Sequence, residues 1–189
     1  MMRALTALIA IAVVIAVAAC GSSGSTTTTG SAHPQTLASR PYGFRVTLTP
    51  NWEEQDAQVN WNGKGLPDLS DPAWADFTGT VTGNELSVVS APTGMGLAGF
   101  KAAMQAALLR SPGASHSCRA SSSAVQTSVG GEPALEWTAT CASGDHVNSL
   151  AVLHRTHGYL ILLNTHPGST AAESRGFIES IRQSFRFTR

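Results

Sequence analysis

Charge is scarce in this sequence. Of 189 residues, 13% are charged, with 12 basic and 12 acidic side chains and a formal net charge of zero. An average soluble domain carries about 25%. A nucleic-acid partner demands a surplus of Lys and Arg on one face, so the balance argues against one. It does not describe a disordered acidic tail either. Cysteine is also scarce, and three are too few for a disulfide-dense miniprotein. Catalytic signatures are missing. Gly21-Ser22-Ser23-Gly24 lacks the strand and helix that flank a Gly-x-Ser-x-Gly nucleophile elbow. There is no P-loop, no dinucleotide fingerprint and no His-Glu-x-x-His. The close acidic pair Glu53-Glu54 neighbours a strand end, where solvation accounts for it, so no general acid–base dyad can be named. The expectation is a protein that is not an enzyme and needs no cofactor.

What is present begins at the N-terminus. Met1-Met2-Arg3 is a short positive start, and Ala4 to Ala19 is uncharged and almost wholly apolar. Sixteen such residues fall short of the ~20 a spanning helix needs. They match the apolar core of a secretory signal. Val17-Ala18-Ala19-Cys20 resembles the bacterial lipobox, an aliphatic residue and two small ones before Cys. That resemblance implies cleavage before Cys20 and acylation of its thiol, palmitate included. An ordinary signal with an incidental Cys, or an uncleaved anchor, is the rival. Two or three acyl chains at ~0.8 kcal/mol per buried methylene exceed the marginal hold of one chain. The segment from Gly21 to Ala32 holds only Gly, Ser, Thr and Ala. Such a composition cannot offset its ordering entropy and reads as a flexible coil. The expected division is a signal over 1–19, a lipidated Cys with a tether over 20–39, and one domain over 40–189.

Export places the chain in an oxidising compartment. With Cys20 acylated, Cys118 and Cys141 remain, and compartment and parity point to a structural disulfide. A redox pair or two metal ligands fit less well, because no Cys-x-x-Cys is present.

Within the domain, Phe44, Val46 and Leu48 alternate with polar residues, which predicts a half-buried strand. Gln58 to Trp61 suggests a short strand. Trp74 to Thr82 and Glu85 to Ser90 read as a hairpin through Gly83-Asn84. Leu97, Phe100, Met104, Ala107 and Leu108 recur at helical spacing, and Ser111-Pro112-Gly113 ends that helix. A second hairpin is expected from Val125, Thr127 and Val129 before Gly130-Gly131, with Leu135, Trp137, Ala139 and Cys141 inward after it. Glu136, Thr138 and Thr140 are then expected on its outer face. Val147 to Leu153 and Tyr159 to Leu163 form a third hairpin, turning near Thr156-His157-Gly158. Both faces of those strands are apolar, which marks central strands covered on both sides. Thr170-Ala171-Ala172-Glu173 is a capping box. The helix it opens aligns Phe177, Ile178, Ile181 and Phe185 on one stripe. This order implies an α+β domain, a mostly antiparallel sheet with helices packed on its faces.

At this point the chain resembles the PsbP-like superfamily. The resemblance rests on Tyr42-Gly43-Phe44-Arg45-Val46 ending in Pro50-x-Trp52, the central helix and the Gly130-Gly131-Glu132-Pro133-Ala134 turn. The paired Cys and the closing Phe177-Ile178-x-x-Ile181-x-x-x-Phe185 helix complete it. It implies an α/β/α sandwich acting as a non-catalytic binding or assembly module. The superfamily includes exported actinobacterial lipoproteins, and ten arginines to two lysines suit a GC-rich genome.

Candidate binding residues are few. Trp61 and Trp74 flank a Gly/Pro/Asp loop containing Asp68 and Asp71. Loops carry function and Trp is enriched at hot spots, so this is a possible recognition loop; both rings could equally cap a sheet edge. If His154 lies near Tyr159 across the third hairpin, His146 falls near His166, with Asp145 beside them. Two imidazoles and a carboxylate are weak candidates for zinc, and plain solvation at strand ends accounts for them more simply. The reading is thus an exported lipoprotein on the extracytoplasmic face of the cell membrane, held by lipid, binding a protein or envelope component. The alternative is an extracytoplasmic carrier or sensor of a small ligand, which predicts an apolar cavity with convergent polar groups. An enzyme is the least favoured class.

Overall fold

Two strands at the centre of the chain's largest sheet carry apolar side chains on both faces, and the rest of the architecture covers those faces. The computed structural model describes residues 34–40, 42–49, 53–56, 77–81, 84–110, 118–120, 123–142, 144–165 and 168–188. The central pair is β9 (His146–His154) and β10 (His157–Thr165). Beside β10 lie β5 (Asn84–Pro92), β4 (Phe77–Val81) and β3 (Glu53–Asp56). Beside β9 lies β8 (Glu132–Thr140), which pairs with both β6 (Arg119–Ala120) and β7 (Val125–Val129). Every pairing among these strands is antiparallel. A separate three-stranded sheet is formed by β1 (Gln35–Ser39), β2 (Phe44–Leu48) and β11 (Arg186–Phe187), in the order β1-β2-β11. The two helices among the described residues are α1 (Leu97–Arg110) and α2 (Ala171–Ser184).

Strand period two sorts the central side chains into two cores. Leu150, Val152, Tyr159, Ile161 and Leu163 face one way, against Phe44, Val46 and Leu48 of the small sheet and Ile178, Ile181 and Phe185 of α2. Ala151, Leu160 and Leu162 face the other way, against Phe100, Met104 and Leu108 of α1. The expectation of covered central strands holds, and so does the α+β class. The layers are α1, the large sheet, and a composite layer of α2 with the small sheet.

Particular residues set these contacts. Phe100 sits over Gly158, where an added Cβ would come within 2.5 Å of the ring. That glycine lets α1 approach the middle of the sheet. Phe44 stacks on Phe185 at 5.2 Å between centroids and 12° between planes. The Thr170 hydroxyl accepts from the Glu173 N–H, and the Thr170 N–H donates to the Glu173 carboxylate at 2.7 Å, so the capping box is present as read. At the other end of α2, Ser184 Oγ donates to the Thr47 carbonyl at 2.8 Å and ties the helix to β2. The Cys118–Cys141 disulfide joins the residue before β6 to the residue after β8. Closing a loop of that separation, 23 residues, restricts the unfolded chain by about 3 kcal/mol in the entropy model.

Four expectations are corrected. Residues 35–39, assigned to the tether, form β1 and pair with β2 in unbroken register from Gln35↔Leu48 to Ser39↔Phe44. One large apolar residue, Leu37, was too weak a period for the sequence to show a strand; the pairing with β2 supplies the rest. The third hairpin turns at Arg155-Thr156, not at Thr156-His157-Gly158, because Arg155 adopts the left-handed region at φ 54°. His154 therefore pairs with His157 and not with Tyr159. In the second hairpin, Val125 is 64% exposed, because it lies at the free end of an edge strand. Glu136 is not on a solvated outer face; α2 covers it, and Arg182 reaches its carboxylate at 3.4 Å. The expected strand at Gln58 to Trp61 lies outside the described residues.

Candidate functional site

The ends of β7, β8, β9, β10 and β11 meet at one edge of the composite layer. Gly130 and Gly131 turn the β7–β8 hairpin with φ of 61° and 90°, the pair of positive angles that a two-residue type I′ turn requires. At Gly130 a Cβ would also strike the Phe187 ring at 2.8 Å, so glycine is needed there twice over. The turn delivers Glu132 to the last residue of β9. Glu132 Oε1 lies 2.9 Å from His154 Nδ1, a geometry in which the ring donates to the carboxylate. The imidazole stacks on Phe187 at 4.2 Å, with 1° between planes. Phe187 in turn packs against Tyr159 and Phe185. The Tyr159 hydroxyl donates to the Tyr42 carbonyl at 2.7 Å.

This cluster was missed from sequence, although every member was visible there. Glu132 and His154 are 22 residues apart, and only the β8–β9 and β7–β8 pairings join them. Its chemistry is orientation. The carboxylate fixes the tilt of the imidazole, and Phe187 covers one ring face. The Glu132 contact ties β8 to β9 within the large sheet, and the Phe187 stack holds β11 against that sheet. A His–Glu pair becomes a general base only when a reacting group sits within hydrogen-bond reach of the ring.

The residues singled out from sequence disperse. Cys118 and Cys141 are joined. His146 pairs with Thr165 across the strands, and its Nδ1 lies 3.2 Å from the Thr140 hydroxyl. Among the described residues, no group of three His, Cys, Asp or Glu side chains is placed to hold a metal ion. Cys20, Trp52, Trp61, Asp68, Asp71, Trp74 and His166 lie outside the described residues. Trp137 is core, 2% exposed beneath α1, with the Lys101 ammonium 5.4 Å from its ring centroid.

Beneath α1 there is a further feature that sequence did not show. Trp137 and Ser149 are direct cross-strand partners, both buried. Among the described residues, neither Trp137 Nε1 nor Ser149 Oγ has a hydrogen-bond partner. The surrounding side chains are apolar: Val89, Phe100, Met104, Ala151, Leu160 and Leu162. Two buried polar atoms without partners cost the fold stability.

No family model matches the chain, and no curated protein matches it. Solved structures do. The solution structure of cyanobacterial PsbP (CyanoP) from Synechocystis sp. PCC 6803 superposes with a TM-score of 0.56 at 15% identity, covering 90% of this chain and 98% of that one. The crystal structure of LpqN, described as involved in cell envelope biogenesis of Mycobacterium tuberculosis, gives a TM-score of 0.42 at 10% identity, covering 83% and 91%. The first of these likenesses extends over nearly the whole of both chains, and the fold of this α+β domain is PsbP-like.

Proposed function

We propose that the protein is an exported lipoprotein, acylated at Cys20 and held on the extracytoplasmic face of the membrane, whose domain binds a protein or envelope component without catalysing a reaction. The observation that carries this reading is Val17-Ala18-Ala19-Cys20 at the end of an apolar signal. The Cys118–Cys141 disulfide supports it, because such bonds persist in oxidising compartments.

Metabolic labelling with palmitate tests the anchor. The wild-type chain takes up label and begins at Cys20 by mass. Cys20→Ser takes up none and keeps residues 1–19. Unlabelled wild-type protein, or label persisting in Cys20→Ser, refutes the reading. Crosslinking in living cells then tests the binding role, and the absence of any specific adduct counts against it.

A further inference from the structure

The three-stranded sheet buries one face and exposes the other. Phe44, Val46, Leu48 and Leu37 point into the core. On the opposite face lie Thr36, Ala38, Arg45, Thr47 and Arg186. That face holds two cations and no anion. Arg45 and Arg186 are direct cross-strand partners, and both are exposed. Neither takes part in an ion pair among the described residues. Like charges directly opposite each other weaken a sheet. Arg186 Nη1 donates to the Phe185 carbonyl at 2.7 Å, but among the described residues no carboxylate offsets the two charges, and an external anion would.

We propose that this face of β1-β2-β11 contacts the phosphate headgroups of the membrane that holds the protein. The inference rests on the anchor reading above. Three observations favour an anionic lipid surface. The guanidinium fork is matched to phosphate oxygens, which it binds bidentately. The two arginines sit side by side on adjacent strands, so both meet one planar surface together. The chain enters the domain at Gln35, on this same sheet, and fourteen residues separate Cys20 from it. Fully extended, those residues reach at most about 50 Å. Ala38, opposite Arg45, is three residues along β1 from that entry point, or about 10 Å. A lipid-anchored domain therefore meets the membrane at high effective concentration, and this face is close to its point of attachment.

The test reads each arginine separately. The full acylated chain is reconstituted into neutral phosphatidylcholine vesicles and into vesicles enriched in phosphatidylglycerol. Phenylglyoxal then modifies accessible arginines, and mass spectrometry gives the rate at each site. An arginine held at an anionic surface gains about five-fold in occupancy. Arg45 and Arg186 are thus expected to react about five-fold more slowly with phosphatidylglycerol present. Arg119, on β6 of the large sheet, keeps its rate. About 0.5 M salt shortens the Debye length and restores reactivity. Equal rates for Arg45 and Arg186 in both vesicles overturn the proposal. So does equal protection of all three arginines. Protection by a soluble acidic peptide but not by phosphatidylglycerol also overturns it and assigns the face to a protein. The anchor is scored independently, by sedimentation with the neutral vesicles. A chain that stays in solution there refutes acylation, while phosphatidylglycerol-dependent protection can still be measured on it.

Discussion

Gly158→Ala adds one methyl group to a buried strand, and the structure fixes where it goes. The new Cβ would lie 2.5, 2.6 and 2.8 Å from three carbons of the Phe100 ring. Gly158 is not at a positive φ, so alanine meets no backbone strain there. The cost is steric alone. Overpacking a well-filled core costs about 1–3 kcal/mol. Against it stands about 0.5–1 kcal/mol gained when alanine replaces glycine at a compatible backbone position. The expected net loss is about 1–2 kcal/mol, or a fall of about 2–8 °C in Tm for a domain of this size. Thermal and urea unfolding followed by circular dichroism measure it. The diagnostic arm is Phe100→Leu, which withdraws the ring edge. On that background Gly158→Ala should become neutral or stabilising, giving a coupling of about 1–3 kcal/mol in the double-mutant cycle. If Gly158→Ala costs the same on both backgrounds, the contact between α1 and β10 is not the reason for the glycine.

Two further outcomes follow from single groups. The Thr170 N–H, and secondarily its hydroxyl, hold the Glu173 carboxyl below the usual carboxylate range. A carboxyl depressed in the folded state stabilises above its unfolded pKa, and that stabilisation is lost as pH falls through the folded value. Protection of the Thr170 and Glu173 amides, taken as exchange relative to the unstructured rate at the same pH, should therefore fall below about pH 4, and Glu173→Gln should abolish that change in protection; a change surviving in Glu173→Gln would refute the assignment. Ser149→Ala removes a buried hydroxyl without a partner and should stabilise by up to about 1 kcal/mol. A lower Tm would instead mean that the hydroxyl is bonded, through water or a ligand beneath α1.

How far the fold was legible depended on how local its causes were. The capping box at Thr170 and Glu173, the helix over Leu97–Arg110 and the two-faced strands of the third hairpin are patterns within a dozen residues, and each is present. The β1 strand was not legible, since QTLAS has one large apolar residue and owes its conformation to β2. The turn at Arg155-Thr156 is not legible either, because His157-Gly158 looks like a turn in sequence. Gly158 in fact makes room for Phe100, a tertiary reason that no local pattern carries.

The same division holds for the sites. By itself the sequence determined the apolar stretch that ends at Val17-Ala18-Ala19-Cys20, the expectation that Cys118 pairs with Cys141, and the α+β class, because each rests on composition, order or short-range period. Only the tertiary structure decided that Glu132 meets His154 over Phe187, that Trp137 and Ser149 sit unpaired under α1, and that Arg45 faces Arg186. These contacts join strands distant along the chain. Antiparallel register and the packing of one sheet on the other bring such residues together, and register is set by which faces the whole fold can bury.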